Sequence, residues 1–158
     1  MLTLFLACAP QHVNAAEKFV VTINAQTISA YRTADLEAAK KEASAAKKPI
    51  AWIASDPKLL DGQGKISGSS SRSATLHALY ALRSRCVLVF MDAYEENHKV
   101  LPLVDEALHN PNPHYTPPTV VFLDPAAKQV LATVIYEKDF AKRAAALAAA
   151  LQQIKEKS

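Results

Sequence analysis

No Cys-x-x-Cys pair occurs in this chain, whose two cysteines are Cys8 and Cys86. Thiol–disulfide exchange needs an attacking thiolate and a second thiol to resolve the mixed disulfide, so dithiol redox chemistry is excluded. Glycine is nearly as scarce, with only Gly62, Gly64 and Gly68, all between Ser55 and Ser73. That stretch has the composition of a phosphate cradle without its spacing. Leu59 stands where the first P-loop glycine belongs, and Ile66 where Ser or Thr should follow Lys65. Gly68-Ser69-Ser70-Ser71-Arg72 is no nucleophile elbow, because Arg72 replaces the closing glycine. Charge of one sign is also lacking, since the net charge is only +3. Lys40, Lys41, Lys47 and Lys48 are interleaved with Asp35, Glu37 and Glu42, as on solvated helix faces, and no aromatic-plus-basic platform accompanies them. No nucleic-acid partner is expected. No His-Glu-x-x-His or Cys/His pairing accompanies His98, His109 and His114, so they read as surface histidines and no metal or other cofactor is expected.

The longest uncharged apolar stretch at the N-terminus, Leu2 to Ala9, is too short to span a bilayer. Small residues follow at Asn14-Ala15-Ala16, ahead of Glu17, in the manner of a secretory signal cleaved near Ala16. Residues 1–16 therefore read as a signal peptide and 17–158 as a single domain, exported to a periplasmic or extracellular space. No Lys or Arg precedes the apolar run, which fits a leader that starts further upstream. Two other readings stay open: a lipid anchor at Cys8, which Phe5 fits poorly, and an ordinary apolar N-terminus. If the leader departs, Cys86 alone remains. It opens the apolar run Cys86-Val87-Leu88-Val89-Phe90 and reads as a small buried hydrophobe.

What is present is a regular alternation of element signals. Lys18 to Ile28 alternates apolar and polar residues and reads as one strand. Thr33 reads as the cap of a helix that Pro49 ends. Pro49 to Ala54 is a continuous apolar run, as in a strand covered on both faces. After a long loop, Ser71 or Ser73 would cap a helix carrying Leu76, Leu79, Tyr80 and the stem of Arg83 on one face. Cys86 to Ala93 reads as a second buried strand. Asn97, Leu101, Val104 and Leu108 form a helical stripe in which Pro102 is tolerable near the start. Thr119 to Leu123, the turn Asp124-Pro125-Ala126-Ala127, and Gln129 to Tyr136 read as a hairpin. Asp139 caps a last helix with Phe140, Ala144, Leu147, Leu151 and Ile154 on one face. The order β-α-β-α-β-α-β-β-α implies an α/β domain, a mixed central sheet with helices on both faces.

Within that order, Thr116-Pro117-Pro118-Thr119-Val120-Val121-Phe122-Leu123-Asp124-Pro125 resembles the thioredoxin superfamily's Thr-Pro-Thr-x-Val-Phe-Leu-Asp-Pro segment. Ala45-Ala46-Lys47-Lys48-Pro49-Ile50 is similar to the approach to that family's second strand. The resemblance runs from about Lys18 to the C-terminus and implies a thioredoxin-like three-layer fold with Pro118 as the cis-proline. It puts Pro57-Lys58-Leu59-Leu60 in the place of the redox pair, so the member it implies is redox-inactive. Proline lacks an N–H and ends sheet pairing, which leaves the adjoining backbone able to bind an extended peptide. The expected function is binding of a protein or peptide partner at Thr116, Pro117 and Pro118, flanked by Asp56, Pro57 and Lys58, with the loop Asp56 to Arg72 adding specificity. No catalytic residue is expected. Three alternatives remain: a thiol-dependent enzyme using Cys86, acid–base work by Asp56 and Asp61, and an assembly domain packing through Ala145, Ala146, Ala148, Ala149 and Ala150.

Overall fold

The computed structural model describes residues 16, 18–23, 25–56, 70–94, 100–110 and 116–157. Strands β1 (Phe19–Ile23) and β2 (Gln26–Arg32) come first, then a 3-10 turn at Thr33–Asp35 and helix α1 (Leu36–Ala46). β3 (Ile50–Ser55), α2 (Ser70–Leu82), β4 (Val87–Asp92) and α3 (Pro102–His109) follow. β5 (Thr119–Leu123), β6 (Val130–Val134) and α4 (Phe140–Lys157) complete the domain. The strands lie in the order β1-β2-β4-β3-β5-β6. β4 is parallel to both β2 and β3, whereas β5 is antiparallel to β3 and β6 to β5. The sheet is therefore mixed, as its element order implies.

Side-chain parity builds two cores. On β3, Ala51 and Ile53 face one side with Leu88 and Phe90 of β4 and Val120 and Phe122 of β5, beneath α2 and α4. Ile50, Trp52 and Ala54 face the other with Val87, Val89 and Met91, beneath α1 and α3. The alternation follows from the two-residue period of a strand. The apolar runs are continuous because helices cover both faces. Trp52 is completely covered, and its indole N–H donates to Met91 Sδ at 3.4 Å.

Four local readings are corrected. The stretch Lys18 to Ile28 is not one strand: the chain reverses after Ile23, with Ala25 at φ 60°, and β2 pairs back on β1 with Phe19 opposite Ala30. Alternation alone does not reveal a reversal when no glycine marks it. Thr33 does not cap α1 but opens the 3-10 turn, and neither it nor α1 has a side-chain cap. α2 begins at Ser70, ahead of Ser71 and Ser73, and buries Ala74, Thr75, Ala78, Leu79 and Leu82, while Tyr80 faces outward. On α4, Phe140 is 61% exposed and Arg143 takes the covered position above Leu147, Ala150 and Ile154. Asp139 does cap α4, since its Oδ1 accepts the Lys142 N–H at 2.9 Å.

Candidate functional site

The strand ladder brings the candidate residues to one end of the sheet. Ala54 lies opposite Thr119 and Ser55 opposite Asp92, so the last residues of β3 and β4 meet the first of β5. Asp56 follows β3 directly. Thr116, Pro117, Pro118 and Thr119 run from exposed through half-buried to buried, and the Pro117–Pro118 bond is cis. Asp56, Thr116, Pro117 and Pro118 thus share one end of the sheet, while Pro57 and Lys58 lie outside the described residues. Asp61, His98 and His114 lie outside them too. The end outside the strand C-termini is where open α/β sheets hold ligands.

Hydroxyls close the floor of this end. The buried Ser55 and Thr75 Oγ atoms are 2.6 Å apart, and Thr119 Oγ1 donates to the Thr116 carbonyl at 3.1 Å. Burial of these oxygens is tolerable because each has a partner. Thr116 N–H has no acceptor among the described residues. Asp92 and Tyr94 also belong here and went unnoticed in the sequence. Asp92 Oδ1 accepts the Tyr94 N–H at 2.8 Å, and Tyr94 is 67% exposed. Their only sequence signal is an acid that ends a buried strand and an aromatic two residues beyond it.

Cys86 sits at the opposite end. It precedes β4, whose six residues span roughly 17 Å. The thiol is 4% exposed, and burial pushes it up to about 12 against the weaker opposing pull of Lys48 and Arg85. Such a shift favours the protonated thiol at neutral pH, the form that is the poorer nucleophile and ligand. Cys86 borders a cavity of about 170 Å³ between β2 and β4, together with Lys18, Ser29, Tyr31 and Glu42. There Glu42 Oε2 accepts from Lys18 Nζ at 2.6 Å and from Tyr31 Oη at 2.7 Å. The Lys18 and Tyr31 hydrogen bonds hold the Glu42 carboxyl below the usual range. This group ties the β1–β2 hairpin to α1.

A third cluster joins α2 to α4. Arg143 Nε donates to His77 Nδ1 at 3.2 Å, and its Nη1 donates to the Glu137 carbonyl at 2.8 Å. The Phe140 ring lies 4.5 Å from the His77 ring. As an acceptor at Nδ1, His77 is neutral with its proton on Nε2. Burial first, and the Arg143 charge second, push its pKa down. This is a positioning cluster at the start of α4, not a nucleophile and base pair. His109 Nδ1 lies 2.9 Å from the Asp105 carbonyl on the surface of α3. Among the described residues no group of three or more His, Cys, Asp or Glu could hold a metal ion, and no helix is long and apolar enough to cross a membrane.

Neither a protein-family model nor a curated protein matches this chain.

Proposed function

We propose that residues 17–158 form an exported, redox-inactive thioredoxin-like domain that binds an extended protein or peptide segment beside Thr116, Pro117 and Pro118. The observation that carries this reading is the exposed Thr116, whose N–H has no acceptor among the described residues, next to a buried Pro118 that anchors the turn. An extended ligand pairs with such a backbone through main-chain hydrogen bonds, and Asp56, Asp92 and Tyr94 stand where they would read its side chains. The order of the sheet, the β5–β6 hairpin and the Thr116–Pro125 sequence support the thioredoxin-like assignment. The single-cysteine alternative gains no support, because Cys86 is buried at the other end of the sheet.

The test is a peptide-display selection on the purified domain, followed by backbone NMR with the selected peptides. Shifts concentrated at Thr116, Thr119, Asp56, Asp92 and Tyr94 support the reading, and shifts confined to other surfaces sink it. A disulfide-reduction assay should give no turnover above buffer. Turnover there would contradict the redox-inactive assignment while leaving the binding edge to the NMR experiment.

A further inference from the structure

α1, α2 and α4 all end near the starts of β3 and β4, and an open groove of about 540 Å³ lies among those ends. Ala148, Leu151 and Ile154 of α4 form its apolar floor, and Lys47, Arg85 and Lys155 stand around it. Every charged residue lining the groove is a cation. Among the described residues, Lys47, Arg85 and Lys155 take part in none of the ion pairs Lys18–Glu42, Lys40–Glu37 and His109–Asp105. Glu156 is the nearest acid in sequence. It is exposed and accepts a hydrogen bond from Gln152 at 2.8 Å.

Cations at helix C-termini offset the carbonyl ends of the helix dipole, which accounts for one charge at each helix. It does not account for their standing around a shared apolar floor. Lys47 adds a second argument. It takes the left-handed conformation after α1, at φ 51°, a position where glycine carries no steric penalty. A lysine there is unfavourable for the backbone and contributes its charge to the groove.

We infer that this groove binds a free single-chain anionic amphiphile. Its apolar chain lies on Ala148, Leu151 and Ile154, and its carboxylate or phosphate head sits between Lys47, Arg85 and Lys155. The charge of the rim selects an anionic head and the floor selects an aliphatic chain. The volume falls in the range of about 300–1,000 Å³ usual for small-molecule pockets. This site is at the opposite end of the sheet from the Thr116 edge and does not rest on that reading.

Titration calorimetry and backbone NMR with octanoate, decanoate and dodecanoate, each below its micelle-forming concentration, test the proposal. Affinity should rise about fourfold per added methylene. Shifts should centre on Lys47, Arg85, Leu151 and Lys155. Acetate, which has only the head, and octyl glucoside, which has a neutral head, should bind at least about tenfold more weakly than the matched carboxylate. Arg85→Ser and Lys155→Gln change exposed side chains and should each weaken dodecanoate at least about threefold, with unchanged circular dichroism. Equal binding of octyl glucoside, no effect of both charge variants, or shifts away from the groove would each overturn the site. Binding to anionic vesicles without binding to free dodecanoate would overturn it as well, in favour of a membrane contact.

Discussion

The two ends of the central sheet are made by the same strands and have opposite characters. At the ends of β3 and β4, the Ser55 and Thr75 hydroxyls are buried as a pair, the Thr119 hydroxyl bonds the carbonyl of the exposed Thr116, and α4 begins with an acid-capped turn. At the starts of β3 and β4, a thiol is buried and Lys47, Arg85 and Lys155 surround an apolar groove. The difference comes from helix direction. A helix that returns the chain from one parallel strand to the next must run against the strands. Its N–H end then lies at one end of the sheet, and its carbonyl end, which favours cations, lies at the other. One topology thus supplies an end with an exposed backbone segment at Thr116 and an end with a groove lined by cations.

The sharpest way to break that comparison is to label Cys86. With its thiol at about 12 against an ordinary value of 9.0, the thiolate is about a thousandfold scarcer at neutral pH. Iodoacetamide should therefore modify Cys86 in the native protein at least that much more slowly than after unfolding, as read by peptide mapping that separates it from Cys8. Rapid native labelling would make the lower end chemically active and revive the single-cysteine reading.

Trp52→Ala removes a side chain that serves both ends, 1% exposed at the centre of β3. It should cost about 3–5 kcal/mol in denaturant unfolding. Both ends should lose amide protection in one transition, whereas separate transitions would mean that they are independent units. Thr75→Val strikes the upper end alone. It leaves Ser55 Oγ buried without its 2.6 Å partner and should cost about 1–3 kcal/mol. Dodecanoate binding at the lower groove should be unchanged. A parallel loss of that binding would show the ends to be coupled.

The smallest expected effect is pH-dependent. His77 has a folded pKa below its ordinary 6.5, so the folded state favours the neutral ring. Its contribution is complete above the unfolded value and is lost as pH falls through about 6.5 toward the folded one. The groups around it are Arg143 and Phe140 of α4, with the Glu137 and Lys138 carbonyls holding the guanidinium. Protonation removes the acceptor for Arg143 Nε and sets two like charges together. Unfolding midpoints measured between pH 7.5 and 5.5 should fall more steeply for the wild type than for His77→Gln. Equal slopes would show that the His77–Arg143 contact carries no acid sensitivity.

Much of this architecture is legible in local patterns. The run Thr119 to Leu123, the turn at Asp124 and the cap at Asp139 are written in neighbouring residues. In the structure Asp124 Oδ1 accepts the Lys128 and Gln129 N–H groups at 2.6 and 2.7 Å, which holds the β5–β6 turn. The first hairpin was not legible, because Ala25 adopts a positive φ without a glycine to announce it. Nor was the Phe140–Arg143 exchange on α4. An arginine is covered there because its guanidinium finds His77 and two carbonyls, partners that lie outside its own helix. At the upper end, Asp56, Thr116, Pro117 and Pro118 could be named from the resemblance, but Asp92 and Tyr94 could not. They enter only because β4 lies beside β3 in register.

By itself the sequence determined the α/β alternation, the doubly covered strands and the lack of a Cys-x-x-Cys pair, since periodicity, caps and cysteine spacing are local properties. Only the tertiary structure decided which residues share an end of the sheet. It separated Cys86 from the Thr116 edge by the length of a strand and gathered Lys47, Arg85 and Lys155 around one groove. The reason is physical: strand register and helix direction relate residues that no short-range pattern connects, and charge and burial take their meaning from those neighbours.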